Sequence, residues 1–232
     1  MSTEPQWALA QARAQCHADL WALAPDAPED LVDSECMFVI RSWTEPHRAY
    51  HGLRHVADML SVLQRLARSL PTLDEHSLSL ARGATWYHDV TYDPRATPGS
   101  NEQRSATLAR DHLHRLGAAD QDVDAVEALV VMTADHQAQA PLPGLSPDLL
   151  DAFHDADLWI LSSPAQRYRE YARQIRDEYA HVPAKLFASG RTIILRNFIT
   201  REHVYRTAYA RAHWEDEARQ NVTAEITALE QS

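Results

Sequence analysis

Apolar residues return every three or four positions through nearly all of this 232-residue chain, and that rhythm limits the fold more than any motif does. Between 53 and 70 the stripe Val56, Met59, Leu60, Leu63, Leu66 and Leu70 is unbroken, the pattern of a helix with one face against a core. No segment alternates apolar and polar residues as a half-buried strand does. Six glycines are also too few for the tight turns of an all-β chain. The spacing predicts an all-α helical bundle, read as one domain over residues 1–232, with no internal repeat and no low-complexity linker.

Local signals divide the rhythm into helices. The first covers 6–23, and a second runs from Pro28 to near Trp43, with Glu29 and Asp30 suited to its positive first turn. The stretch 53–70 follows, then a helix from Asp74 to Val90 that Pro94 prevents from continuing. Ser100 with Gln103 three residues later reads as a capping box, and Gly117 suits that helix's end. A further helix spans 120–137. Ser146-Pro147 and Ser163-Pro164 each offer a cap followed by proline at the first helical position. Pro183 opens a helix through Phe198, and Thr200 one reaching Leu229, which could pack on its own domain or on the twin subunit of a homodimer. Residues 91–100 and 138–146 read as loops.

Charge and cysteine content exclude several classes of function. A formal net charge of −11 without any block of like charge argues against a surface that coats nucleic acid. A small anionic substrate in a local pocket is compatible with it. Cys16 and Cys36 are too few for a disulfide framework. The N-terminus lacks a secretion-signal pattern and no apolar run approaches the length of a membrane span, so a cytoplasmic protein with no membrane partner is expected. Lys185 is the only lysine. Arginine suits phosphate clamps, but abundant Ala, Arg and Leu fit a compositional bias equally well.

Against this ordinary background His88-Asp89 stands out, set in the apolar run Ala84-Thr85-Trp86-Tyr87-His88-Asp89-Val90. An imidazole beside a carboxylate is costly to bury unless something charged satisfies both. Asp157 shows the same anomaly: it follows Leu150 by seven and Phe153 by four and precedes Leu161 by four, so it lies on an apolar face. Pairing with an arginine or capping a backbone would also satisfy it. Asp155 points the other way and reads as solvated. His55 enters the stripe that begins at Val56, and His136 lies in another apolar stretch. His51, four residues before His55, is separated from it by Gly52, so the helix is expected to start near Leu53. No HExxH zinc-protease motif is present at His51. His55, His88, Asp89 and Asp157 form an N2O2 set suited to one divalent ion: Mn, Fe, Co, Ni or Zn. The remaining histidines, such as His17, His76, His112, His114, His181, His203 and His213, read as surface or packing residues.

The order His55, His88-Asp89, Asp157 resembles that of the HD-domain superfamily, all-α metal-dependent phosphohydrolases. The chain looks most like a bacterial group of predicted HD phosphohydrolases. The similar segments are Glu45 to His55, Trp86 to Asp93, Asn101 to Ala106 and Asp155 to Leu158, continuing through Ile175–Tyr179 and Gly190-Arg191 to Ala218–Asn221. The resemblance implies a metal-activated water that attacks a small phosphorylated metabolite or nucleotide. Asp93 or Glu102 would handle the proton, with Arg48, Arg104, Arg176 and Arg191, and His51, on the substrate side. Two-metal members carry a His-Glu pair where this chain has Asn101-Glu102, and His136 resembles their later histidine. One ion is therefore expected, with a second at Glu102 and His136 as the variant. An HD-fold di-iron oxygenase and a non-catalytic metal-containing binding module are the alternatives.

Overall fold

The helix that carries His88 at its end is also the most deeply buried. In a computed structural model, which describes residues 6–136 and 145–231, this helix, α4 (Glu75–Tyr87), is buried from Leu78 onward except at Arg82. A helix apolar on all sides can only be satisfied by surrounding helices. They are α1 (Gln6–Leu23), α3 (Leu53–Ala67), α5 (Ser100–Leu116), α6 (Asp120–Met132) and α7 (Pro147–Asp157), all of which pack on α4. Gly83 gives Leu23 of α1 its seat, since an added Cβ would stand 2.4 Å from Leu23 Cδ1. Helix α2 (Glu29–Trp43) lies on α1 and α5.

The C-terminal part forms the second half of the bundle. After α7 comes a 3-10 turn (Leu158–Ser162), then α8 (Ala165–Glu178), α9 (Ala184–Ile199) and α10 (Ala208–Glu230). Helix α10 gathers α8, α9 and the 3-10 turn through Ala210, Trp214, Ala218, Val222 and Ile226, so its apolar face packs within its own chain. One continuous cluster of buried side chains runs from Cys16 to Ile226, consistent with a single domain. The described residues contain no strand, and no helix among them is long and apolar enough to cross a membrane.

Several helix ends differ from expectation, each for a local reason. Ser146 caps α7 as expected, its hydroxyl accepting from the Leu149 N–H at 3.2 Å. Asp74 does the same for α4 through the Ser77 N–H at 2.8 Å. Ser100, however, caps nothing: its hydroxyl donates to the Thr97 carbonyl, and Gly99 takes the cap position in the left-handed region at φ 79°. Gly117, at φ 83°, ends α5 as the sequence indicates. At α8 the cap residue is Pro164, not Ser163. The helix expected from Thr200 begins at Ala208, where the Thr207 hydroxyl accepts from the Ala210 N–H. Residues 200–207 instead turn back across α7. Helices α3, α4 and α6 stop three to five residues short of their expected ends at 70, 90 and 137. Of the expected loop 138–146 all but Leu145 and Ser146 lies outside the described residues, as does position 137.

Candidate metal centre

Three helix termini meet beside α4. His55 stands in the first turn of α3, on the same face as Val56 and Met59, and is 3% exposed. His88 follows the last residue of α4, with Asp89 next in the turn. Asp157 is the last residue of α7. His55 Nε2 lies 3.0 Å from His88 Nε2. Asp89 Oδ2 is 3.3 Å from His88 Nε2, and Asp157 Oδ1 is 3.2 Å from His55 Nε2 and 3.8 Å from His88 Nε2. The ligand atoms of His55, His88 and Asp89 fall within 4.8 Å of one another, so this group could hold a metal ion.

The surrounding hydrogen bonds fix where protons can sit. His88 Nδ1 is 2.9 Å from the Thr85 carbonyl, which only accepts, so Nδ1 carries the proton and a neutral ring leaves Nε2 bare. His55 Nδ1 pairs with the Tyr50 hydroxyl at 3.1 Å. Two ring nitrogens and two carboxylates therefore meet in one small buried volume, where the acids call for a positive partner. Burial opposes charge on His88, yet Asp89 and then Asp157 override it and hold the imidazole up at about 9. Burial would likewise raise both acids, but His88 holds Asp89, and His55 holds Asp157, below the usual carboxylate range. His55 is pushed down by burial. This buried set of two imidazoles and two carboxylates fits a divalent cation.

The loop before α3 is locked by a residue that sequence reasoning missed. Glu178, the last residue of α8, accepts at Oε1 from the N–H groups of Ala49, Tyr50 and His51 at 2.7, 2.7 and 2.9 Å. Its Oε2 accepts from the Tyr92 hydroxyl at 2.8 Å and lies 2.7 Å from His51 Nδ1. His51 is thereby turned so that Nε2 stands 3.8 Å from Asp89 Oδ2, beside the cluster. A signal for Glu178 existed, because it falls seven residues after Tyr171 and three after Ile175, on the apolar stripe of α8. That is the same anomaly that marks Asp157.

A second set of groups faces the same cavity. His136 adopts the left-handed φ of 51°, and its Nε2 is 3.6 Å from Asp157 Oδ2. Burial depresses its imidazole to about 4, and its Nδ1 has no hydrogen-bond partner. Glu102, in the first turn of α5, has a buried Oε2 without a partner, and burial raises its carboxyl. Both line a cavity of about 430 Å³ together with His51, His55, Asp89 and Asp157.

Several expected site residues lie elsewhere. Asp93 is exposed, outside this cavity, and accepts from the Arg95 N–H in its own loop. The Arg48 side chain is 1% exposed behind Asp89, donating to the carbonyls of His51, Asp89 and Val90. Arg104 is exposed and bonds Asn101 Oδ1 and the Ser100 carbonyl. Arg176 donates to the Tyr179 and Val182 carbonyls. None of these three arginines faces the cavity. Arg191 does line it, but its Nε is engaged by Glu225 at 2.9 Å. Asp155 is not solvated: it is fully buried and accepts from the Arg206 and Thr207 N–H groups at 2.8 Å each, beside His154. Helix α7 has no solvent face at that point because residues 200–207 cover it. Comparison of the chain with protein-family models, with curated proteins and with solved structures finds no match.

Proposed function

We propose that this chain is a metal-dependent phosphohydrolase of the HD type, acting on a small phosphate ester. The reading rests on one observation. His55, His88, Asp89 and Asp157 bring their ligand atoms from three helices to one buried point where two carboxylates meet two imidazoles. Asp157 is the fourth ligand in this reading. A bound divalent ion supplies an acidified water and polarises a phosphoryl oxygen.

The chain's own groups fit the remaining tasks. Tyr50 and the Thr85 carbonyl orient the two imidazoles, as partners of metal-bound histidines do. Glu102, raised by burial and facing the cavity, suits a carboxyl that holds a proton for the leaving alkoxide. His51, pinned by Glu178, stands where it can hydrogen-bond substrate. A second ion would take His136, Asp157 Oδ2 and Glu102. The Asn101 amide is engaged with the backbone of Asp93 and so offers no ligand, which favours one ion over the di-iron oxygenase arrangement.

The test joins metal analysis to a panel of phosphate esters. About one divalent ion per chain and hydrolysis lost in Asp89→Ala support the reading. Full activity in a metal-free Asp89→Ala protein overturns it, and two irons with oxygen uptake select the oxygenase. Metal binding without hydrolysis of any ester selects the binding module.

A further inference from the structure

The cavity beside the metal cluster has two unlike ends. One carries the ligands. The other is apolar, walled by Ile160 and Leu161 of the 3-10 turn and by Ile175 of α8. Helix α9 closes it with Phe187, Gly190, Ile194 and Phe198, one helical face at spacings of three and four. Only Arg191 and Leu195 of α9 are buried, while Ile194 is 52% exposed. Gly190 sits mid-helix, where glycine is unfavourable, and a Cβ there would meet nothing within 4 Å. It leaves open the space that any side chain would fill.

Charge on the walls is equally one-sided. Arg191 is the sole Arg or Lys among the described lining residues, and Glu225 neutralises it. Residues 1–5 and 137–144 contain neither lysine nor arginine. Asp89, Glu102 and Asp157 face it from the other end. Among the described lining residues no arginine or lysine is left to neutralise a phosphate beyond the one the ion would hold.

We infer that the ligand is a phosphomonoester with an apolar body of alkyl or aromatic character, rather than a nucleoside polyphosphate or a sugar phosphate. The inference rests on the phosphohydrolase reading for its phosphate end and on the α9 wall for its apolar end. In the reaction, water adds to phosphorus, the ester P–O bond breaks, and the alkoxide leaves with a proton, giving inorganic phosphate and an apolar alcohol. At about 430 Å³ the cavity lies in the range of small-ligand sites.

The experiment compares n-heptyl phosphate, glycerol 3-phosphate and ATP as substrates of the Mn²⁺-loaded full chain, the first two having similar alkoxide leaving groups. In parallel, calorimetry compares n-heptylphosphonate with methylphosphonate. The expected kcat/KM for heptyl phosphate exceeds that for glycerol 3-phosphate by at least tenfold, with ATP slower still. Gly190→Leu, which gains helix propensity, should keep or raise the melting temperature while bringing the heptyl-to-glycerol ratio and the phosphonate preference near unity. Equal or better turnover of the polar ester or of ATP overturns the inference and leaves the phosphohydrolase reading standing. So does a selectivity ratio indifferent to Gly190→Leu in a folded protein. If no ester is hydrolysed but heptylphosphonate binds tenfold tighter and Gly190→Leu removes the difference, the apolar site stands and the hydrolase reading falls. Failure of both phosphonate preference and hydrolysis refutes both.

Discussion

Replacing Glu178 by glutamine keeps the side chain's shape and removes its charge, so it isolates what an ionised carboxylate contributes at the end of α8. The side chain is fully buried and accepts three backbone N–H groups and the Tyr92 hydroxyl beside His51. Burial by itself would raise the carboxyl, but His51 and then the hydrogen bonds hold it down at about 2 from an ordinary 4.5. At about 1.4 kcal/mol per pKa unit, that difference corresponds to stabilisation on the order of 3 kcal/mol. The sign follows from the direction. A depressed acid stabilises above its unfolded pKa, and the effect fades as pH falls through the folded one. His51, raised by Glu178 against the pull of burial, works the other way and loses its share as pH climbs past its folded pKa. Urea unfolding of Glu178→Gln against the parent should thus show its largest gap near pH 6, roughly 3 kcal/mol, shrinking to roughly 1 kcal/mol near pH 3. A gap under about 1 kcal/mol near pH 6, or one that does not narrow in acid, refutes the view that an ionised Glu178 clamps the 49–51 loop.

Four further substitutions probe separate parts of the account. Tyr50→Phe removes the hydroxyl beside His55 Nδ1 and should weaken Mn²⁺ affinity about tenfold by calorimetry, with little change in melting; unchanged affinity would deny Tyr50 its orienting role. Asp155→Ala strips the acceptor from two buried N–H groups and should cost about 3–5 kcal/mol in denaturant unfolding, whereas a solvated Asp155 would cost almost nothing. Arg48→Ala should lower stability by about 3 kcal/mol, because three carbonyls lose their donor. Arg104→Ala, exposed and away from the cavity, should alter neither stability nor ester turnover. A selective rise in KM for either arginine would return it to the substrate side.

The helices were legible because a bundle leaves a 3.6-residue imprint wherever a helix has a wet and a dry face. His55, His88, Asp89 and Asp157 were legible for the converse reason, being ionisable groups where only apolar ones belong. What escaped depends on partners remote in sequence. Nothing local distinguishes an arginine that clamps phosphate from Arg48, which ties three carbonyls behind Asp89. Asp155 looked solvated because periodicity assumes an open face, and α7 has none where residues 200–207 lie across it. Ser100 and Ser163 satisfy a capping pattern in sequence, but Gly99 and Pro164 hold the backbone at those positions. Glu178 was readable by the logic that singled out Asp157, and its place on the stripe of Tyr168, Tyr171 and Ile175 was the sign.

Everything in the proposed chemistry depends on a cation drawing on four side chains at once. Anomalous scattering from crystals grown with Mn²⁺ observes that directly. The account predicts a strong peak bonded to His55 Nε2, His88 Nε2 and one oxygen each of Asp89 and Asp157. Stoichiometric manganese bound elsewhere, with these four side chains free of it, would contradict the account at its root.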